Sequence, residues 1–209
     1  MIALGSCEQH GPHLPLDVDT RIAVAVAEAI VDRRADLTLG PTLAIGASGE
    51  HAGFAGTLSI GTEVLESVLV ELVRSADHFE SVLVINGHGG NVTTLATAST
   101  RLAAEGRNFR HVNCHISGGD PHAGWSETSI LLHLWPEVVR LDLVEVGVTA
   151  PWSEIGARVI AEGFAAVAPN GVLGDPTRAT AADGQRLFDG LVDRLGATVA
   201  GWLDDPGEP

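Results

Sequence analysis

The sequence predicts an α/β fold: a three-layer α/β/α arrangement around a mainly parallel central sheet. Short apolar runs of β type alternate with long amphipathic segments along the chain. The run Ser81-Val82-Leu83-Val84-Ile85-Asn86 is continuously apolar through its centre, as in a parallel strand covered on both faces. Strand–loop–helix units repeat, and such units pair their strands in parallel with helices packed on the sheet. Ligands in these folds sit beyond the carboxyl ends of the strands, so the loops after strands are where chemistry is expected.

Taken in order, Ile2-Ala3-Leu4 reads as a very short first strand. Residues 21–35 read as a helix, with Ile22, Val24, Ala25, Ala29 and Ile30 at helical spacing. Residues 37–45 (LTLGPTLAI) are strand-like, but Pro41 cannot donate to a ladder, which implies a sheet edge or a bulge. A Gly-rich loop spans 47–59. A second helix spans 62–79, with Val64, Leu65, Val68, Leu69, Leu72 and Val73 as its buried stripe. The strand at 81–86 leads into a tight loop, 87–91, and a third helix, 93–106, which Asn91 is suited to cap. A strand at 109–115, a Gly-rich loop at 116–124 and a helix from Ser126 to Leu134 follow. Residues 141–150 are mixed, 152–169 partly helical and 170–177 a loop. Residues 181–203 form a long terminal amphipathic helix, and 204–209 read as a frayed tail. At 209 residues the chain suits one sizeable core, so 1–209 is read as a single domain.

Composition excludes several function classes. Hydrophobic residues make up 45% and charged residues 19%, the balance of a folded globular protein. The net charge is −15 and all twelve basic residues are Arg, so no basic footprint for nucleic acid is expected. No apolar run reaches the roughly 18 residues of a membrane span. No basic segment followed by an apolar one opens the chain, and a cytoplasmic location is expected. Cys7 and Cys114, the two cysteines, are read as reduced thiols, with Cys7 a small buried residue.

The densest chemistry lies in residues 5–19, right after the first strand. Glu8 and His10 are two apart and share a face in extended backbone. Asp19 follows just before a helix. His88 sits in Asn86-Gly87-His88-Gly89-Gly90-Asn91, after the clearest strand, and Glu127 follows His122 by five residues at a helix start. Groups this polar beside apolar sequence need a partner that offsets their desolvation. Two imidazoles and three carboxylates suit Zn, Mn or Fe(II), and the absence of thiolates argues against a Cys-rich structural zinc site. Five protein donors are too many for one catalytic ion and about right for two divalent ions sharing a carboxylate. His13 is a candidate for orienting a ligand. Glu50-His51 either satisfies loop backbone or contacts substrate. Trp125 and Trp152 belong to a core, an interface or a substrate pocket. His78, His111, His115 and His133 fall outside these motifs and read as packing or surface residues. A nucleotide-binding module, with 87–91 cradling phosphate at a helix start, is the alternative of another class. It lacks the glycine fingerprint and leaves Glu8, His10 and Asp19 without a purpose.

These pieces together resemble the creatininase family of metal-dependent amidohydrolases. The matching segments are Gly5-Ser6 with Glu8-Gln9-His10-Gly11-Pro12-His13-Leu14-Pro15, then Asp19. After these come Glu50-His51 with Phe54-Ala55-Gly56-Thr57, and Asn86-Gly87-His88-Gly89-Gly90-Asn91. His122-Ala123-Gly124 with Glu127-Thr128-Ser129, and Gly171-Val172 with Gly174-Asp175-Pro176, complete the order. The resemblance implies that Glu8, Asp19 and His88 bind one ion, and that His10, Asp19 and Glu127 bind a second, with Asp19 bridging. His122 is implied to be the proton shuttle. Creatininase itself has a glutamate ligand where this chain has Gly90, which argues against creatinine as the substrate and leaves Glu127 to supply the missing carboxylate. Within the family the wording is most similar to a peptidase subgroup that releases a C-terminal Val-Tyr dipeptide from a modified precursor peptide. A creatinine-type cyclic amidase and a formamide hydrolase are the enzyme alternatives, acting on small amides. The resemblance also implies a homo-oligomer, often a hexamer, and a helix and longer first strand ahead of the position of Gly5.

Overall fold

A computed structural model describes residues 1–204, so the end of the expected tail, 205–209, lies outside the described residues. Three strands form a parallel sheet in the order β1 (Ile2–Leu4), β2 (Val82–Asn86), β3 (Phe109–Asn113). The central strand β2 pairs with both neighbours, Ile2 facing Val84 on one side and Val82 facing Phe109 on the other.

Side chains of β2 alternate between two cores, as a pleated strand requires. Leu83 and Ile85 face one core with Ile22, Val26 and Ile30 of α1 (Val18–Val31). Residues from α4 (Trp125–Leu134) and α7 (Ala181–Asp204) complete that layer. Val82 and Val84 face the other core with Leu65 and Leu69 of α2 (Thr62–Ser75) and Leu95, Ala98 and Leu102 of α3 (Val92–Ala104). Helices therefore cover both faces of a parallel sheet, as the continuous apolar run implies. A smaller cluster joins Ile155 and Val159 of α5 (Trp152–Glu162) to Phe164 of α6 (Phe164–Val167) and to Leu173.

Some boundaries differ from the sequence pattern. Residues 37–45 run beside β1 without forming a strand. Leu43 N donates to Ala3 O and accepts Gly5 N at its own carbonyl, both at 2.9 Å, and Gly40 N donates to Met1 O at 2.7 Å; Pro41 between them has no N–H to give, so no continuous ladder forms. Helix α1 begins at Val18, three residues earlier than the apolar spacing suggests, which places Asp19 inside its first turn. Helix α2 ends at Ser75 rather than reaching residue 79. The segment 152–169 breaks at Gly163, whose φ of 85° is open to glycine at little cost. Asn91 precedes α3 but makes no capping hydrogen bond.

One close approach fixes the functional edge. A Cβ on Gly5 would run into Thr20, and a Cβ on Gly87 would run into the Asp19 carbonyl. Glycine at the ends of β1 and β2 thus lets the first turn of α1 sit directly against the sheet edge.

Candidate metal centre

Each of the loops after β1, β2 and β3 sends a side chain to this edge. The segment after β1 carries Glu8 and His10, both without solvent exposure, and leads to Asp19 in the first turn of α1. The tight turn after β2 carries His88. The loop after β3 carries His122 and then α4, whose first turn holds Glu127. Both Asp19 and Glu127 occupy helix first turns, where the positive end of the dipole favours a carboxylate.

The structure brings all six candidates together. Ligand-capable atoms of Glu8, Asp19 and His88 lie within 4.8 Å of one another, as do those of His10, Asp19 and Glu127. Asp19 is common to both groups. Its Oδ1 is 3.3 Å from His10 Nε2 and its Oδ2 is 3.2 Å from His88 Nδ1. His88 Nε2 is 3.1 Å from Glu8 Oε2. A third group joins Glu8 and His10 to His122, whose Nδ1 is 3.9 Å from Glu8 Oε1.

These buried groups are left unsatisfied by the protein. Both carboxylate oxygens of Glu8 and the Nε2 of His10 make no hydrogen bond among the described residues, although charged neighbours stand close. Buried polar atoms are nearly always bonded, and a carboxylate with two orphaned oxygens facing imidazoles fits a cation between them. The donor set of oxygens and imidazole nitrogens, without sulfur, fits Zn, Mn or Fe(II).

Other side chains set the donors in place. Ser6 Oγ donates to Asp19 Oδ2 at 2.6 Å. His10 Nδ1 donates to the Glu8 carbonyl at 3.1 Å, which leaves Nε2 facing inward. The Ala123 amide donates to Glu127 Oε2 at 2.5 Å. His122 Nε2 donates to the Gln9 carbonyl at 2.8 Å, so its Nδ1 carries the free lone pair. Gln9 Nε2 also donates to His51 Nδ1 at 3.0 Å.

The charge pattern matches this packing. Burial opposes charge on His10, yet the carboxylates of Asp19, Glu127 and Glu8 outweigh it and raise its pKa to about 9. His88 is likewise held well above its ordinary value: burial opposes charge, and Glu8, Asp19 and Glu50 overcome it. Burial and the neighbouring carboxylates Asp19 and Glu8 push Glu127 up to about 7 against the pull of His10. His122 moves the other way, well below its ordinary value, through burial and the nearby charge of His10 and His51.

Gly90 occupies the position where a carboxylate is lacking, and the packing shows why no side chain stands there. A Cβ at residue 90 would run into His88 Nε2, the Ala47 carbonyl and Glu50 Oε1. The Glu50 carboxylate fills that space instead, with Oε1 3.4 Å from His88 Nε2. The Glu50-His51 pair therefore faces the centre: His51 Nε2 is 3.4 Å from Glu8 Oε1, and its ring stacks on Phe164 with centroids 4.3 Å apart.

Other residues depart from their sequence-based roles. Asn91 is a staple rather than a helix cap. Its side chain accepts the Ala47 amide at 2.9 Å and donates to the Gly5 carbonyl and to Asn86 Oδ1, both at 3.0 Å. Its partners lie in three separate segments, so no local pattern marks the role. His13 lies behind the centre, bonded through Nε2 to Thr128 Oγ1 at 2.9 Å. Cys7 is half-buried rather than buried, and its carbonyl accepts the Leu58 amide at 2.8 Å. Both cysteines are free thiols. Trp125 and Trp152 line a cavity of about 1800 Å³ that opens onto the centre. His78, His111, His115 and His133 belong to none of the three donor groups.

The chain is similar to known proteins over nearly its whole length. A family model described as creatininase (creatinine amidohydrolase) matches residues 1–199. A mycofactocin precursor peptide peptidase from Mycobacterium ulcerans is 51% identical over 215 residues, covering 99% of this chain and 86% of its own. The solved structure of a manganese form of creatininase superposes with a TM-score of 0.76 at 21% identity, covering 96% of this chain and 90% of the other. A zinc–zinc form of a creatininase mutant gives 0.76 at 22% identity, covering 96% and 89%. No helix among the described residues is long and apolar enough to cross a membrane. The matched family model spans nearly the whole chain, and with it the chain belongs to the creatininase family of amidohydrolases.

Proposed function

We propose that this chain is a metal-dependent peptidase that cleaves a C-terminal Val-Tyr dipeptide from a modified precursor peptide. The observation that carries the reading is the pair of donor triads, Glu8–Asp19–His88 and His10–Asp19–Glu127, meeting at one shared carboxylate with orphaned oxygens on Glu8. The peptide substrate is supported by half-identical relatives named for that activity and by a cavity large enough for several residues of extended chain.

On this reading Glu8, Asp19 and His88 hold one divalent ion and His10, Asp19 and Glu127 the other. When bound, two such ions polarise the scissile carbonyl and lower the pKa of water. The chain does the rest. Ser6 locks the Asp19 carboxylate so that its two oxygens face two different imidazoles. His122 stays neutral, held through Nε2–H by the Gln9 carbonyl, and offers Nδ1 to accept a proton and pass it to the leaving amine. His51 and Phe164 form an apolar flank that limits water at the reacting carbonyl.

One observation supports a second reading of His122. Its Nδ1 groups with Glu8 and His10, so it also fits as a ligand. The native ion is Zn, Fe(II) or Mn on the donor chemistry. We assign a cytoplasmic homo-oligomer, hexameric or similar, on family likeness. The test is metal analysis of protein purified without chelator, then side-by-side assays of Val-Tyr release, creatinine opening and formate release. Val-Tyr release lost on chelation supports the reading. Preferential creatinine or formamide hydrolysis, or full activity of Asp19→Ala, overturns it.

A further inference from the structure

The residue between Glu8 and His10 fixes the protons of two imidazoles. Gln9 is buried, and its side-chain oxygen accepts the Gly11 amide at 2.9 Å. A backbone N–H can only donate, so that bond decides which end of the Gln9 carboxamide is oxygen. The other end is the NH2 group, and it stands 3.0 Å from His51 Nδ1. Gly171 makes room for this arrangement, because a Cβ there would run into Gln9 Oε1.

Each ring is thereby held in one tautomer. His51 Nδ1 accepts from Gln9, so the His51 proton sits on Nε2. His122 Nε2 donates to the Gln9 carbonyl at 2.8 Å, so the His122 proton also sits on Nε2 and its Nδ1 is bare. The two inward atoms approach one oxygen: His51 Nε2 is 3.4 Å and His122 Nδ1 3.9 Å from Glu8 Oε1. The ring centroids lie 4.8 Å apart, and both rings line the cavity that opens onto the centre. Gln9 therefore presents one N–H and one lone pair side by side at the centre.

The His51 N–H is not spent on the protein. It makes no hydrogen bond among the described residues, and Glu8 Oε1 beside it has no hydrogen-bond partner either. His51 is buried, and Phe164 stacks on its face and also packs against His122, with centroids 4.3 and 4.8 Å away. Buried donors are nearly always bonded, and a donor held in an apolar wall facing a substrate cavity is placed to meet its acceptor there.

We propose that His51 is a further catalytic residue whose Nε2–H binds the oxygen of the scissile carbonyl as that oxygen becomes an anion, with Gln9 as its positioning residue. The inference rests on amide hydrolysis alone, so it holds for a peptide and for a small amide. Water adds to the carbonyl carbon, the C=O pair moves onto oxygen, and the proton of the water goes to His122 Nδ1. His51 donates to the new oxyanion and keeps its own proton. When the C–N bond breaks, its pair leaves with nitrogen, the C=O bond re-forms, and His122 gives its proton to that nitrogen. Donor and acceptor are different rings, one set by the side chain of Gln9 and the other by its carbonyl.

The test uses the zinc-loaded full chain, with the modified precursor peptide as substrate. His51→Ala is expected to keep its zinc content and lose about 10²- to 10³-fold in kcat with little change in KM. His51→Gln, whose amide offers an N–H from nearly the same place, should recover part of the loss. Gln9→Met keeps the carbonyl that holds His122 but removes the donor to His51, and should lower kcat less than His51→Ala does. Proton–nitrogen correlation spectra of protein carrying isotope-labelled histidine show which ring nitrogen holds each proton. His51 should be protonated on Nε2 in the wild type and no longer confined to that tautomer in Gln9→Met. A His51 proton on Nδ1 in the wild type, an unchanged kcat in His51→Ala, or zinc lost in step with kcat overturns the inference and leaves the peptidase reading standing. Wild-type protein that hydrolyses formamide or creatinine instead of the peptide overturns the peptidase reading, and the same kcat ratios on that amide then decide the role of His51.

Discussion

Nε2 of His10 lies 3.3 Å from Oδ1 of Asp19, both side chains buried, yet the pair is not aligned for a hydrogen bond. The carboxylate nearby lifts His10 to a pKa of about 9, so the metal-free protein keeps a proton where an ion needs a lone pair. Glu127, raised to about 7, must lose its proton as well. Ion affinity is therefore expected to rise steeply between pH 7 and 9, by up to about tenfold per pH unit for each proton displaced. Chelator competition at several pH values measures this. An affinity flat across that window contradicts it.

The same shift sets the stability of the chelated protein. His10 has a folded pKa above its ordinary 6.5, so its contribution is full below pH 6.5 and is lost as pH rises through about 9. His88 is raised as well and acts in the same direction. The depressed His13, at about 4, and His122 have already reached their full contribution above pH 6.5 and do not oppose the trend. Thermal melts of chelated protein should fall from pH 7 to 9, and metal-loaded protein should not follow. A melting temperature of the chelated protein that climbs with pH over this range would count against the assigned charge states.

Asp19 and Glu127 should separate in metal content. Asp19→Ala removes the carboxylate common to both triads and is expected to lose both ions and at least 10³-fold in kcat/KM. Glu127→Gln touches one triad and is expected to keep one ion. Elemental analysis of the two variants decides it: equal losses would refute the shared-carboxylate arrangement.

His122→Ala is expected to keep two ions and lose about 10²- to 10⁴-fold in kcat, the range of a general acid–base group. Loss of an ion instead assigns His122 as a ligand, the second reading above.

Asn91→Ala should destabilise by at least about 1–3 kcal/mol, because it strands the buried Ala47 amide and the Gly5 carbonyl. Denaturant titration measures the loss. Asn91→Asp keeps an acceptor for Ala47 but sets a buried carboxylate oxygen against the Gly5 carbonyl and Asn86 Oδ1, so it should cost at least as much as Asn91→Ala.

Much of the centre was legible because its residues carry strong local signals. Glu8 and His10 share a face by spacing, His88 follows the most apolar strand, and Glu127 opens a helix. The layering was legible for the same reason, since a strand as apolar as Val82–Asn86 has to be covered on both sides. The rest depended on partners far along the chain. Asn91 looked like a cap because capping residues and buried staples are the same residue types. Glu50 looked ambiguous because its role comes from the space that Gly90 leaves 40 residues later. Asp19 looked like a loop residue because no side-chain cap marks the true start of α1.

Asp19 belongs to the same helix that buries Ile22, Val26 and Ile30 in the larger core. Any opening that lets Asp19 swing away must therefore fray the start of that core-forming helix. Ion exchange and local unfolding then share one barrier. Amide protons in the first turns of α1 should exchange with deuterium on the timescale of ion release, so the loaded protein would be protected as much by slow escape as by tight equilibrium binding.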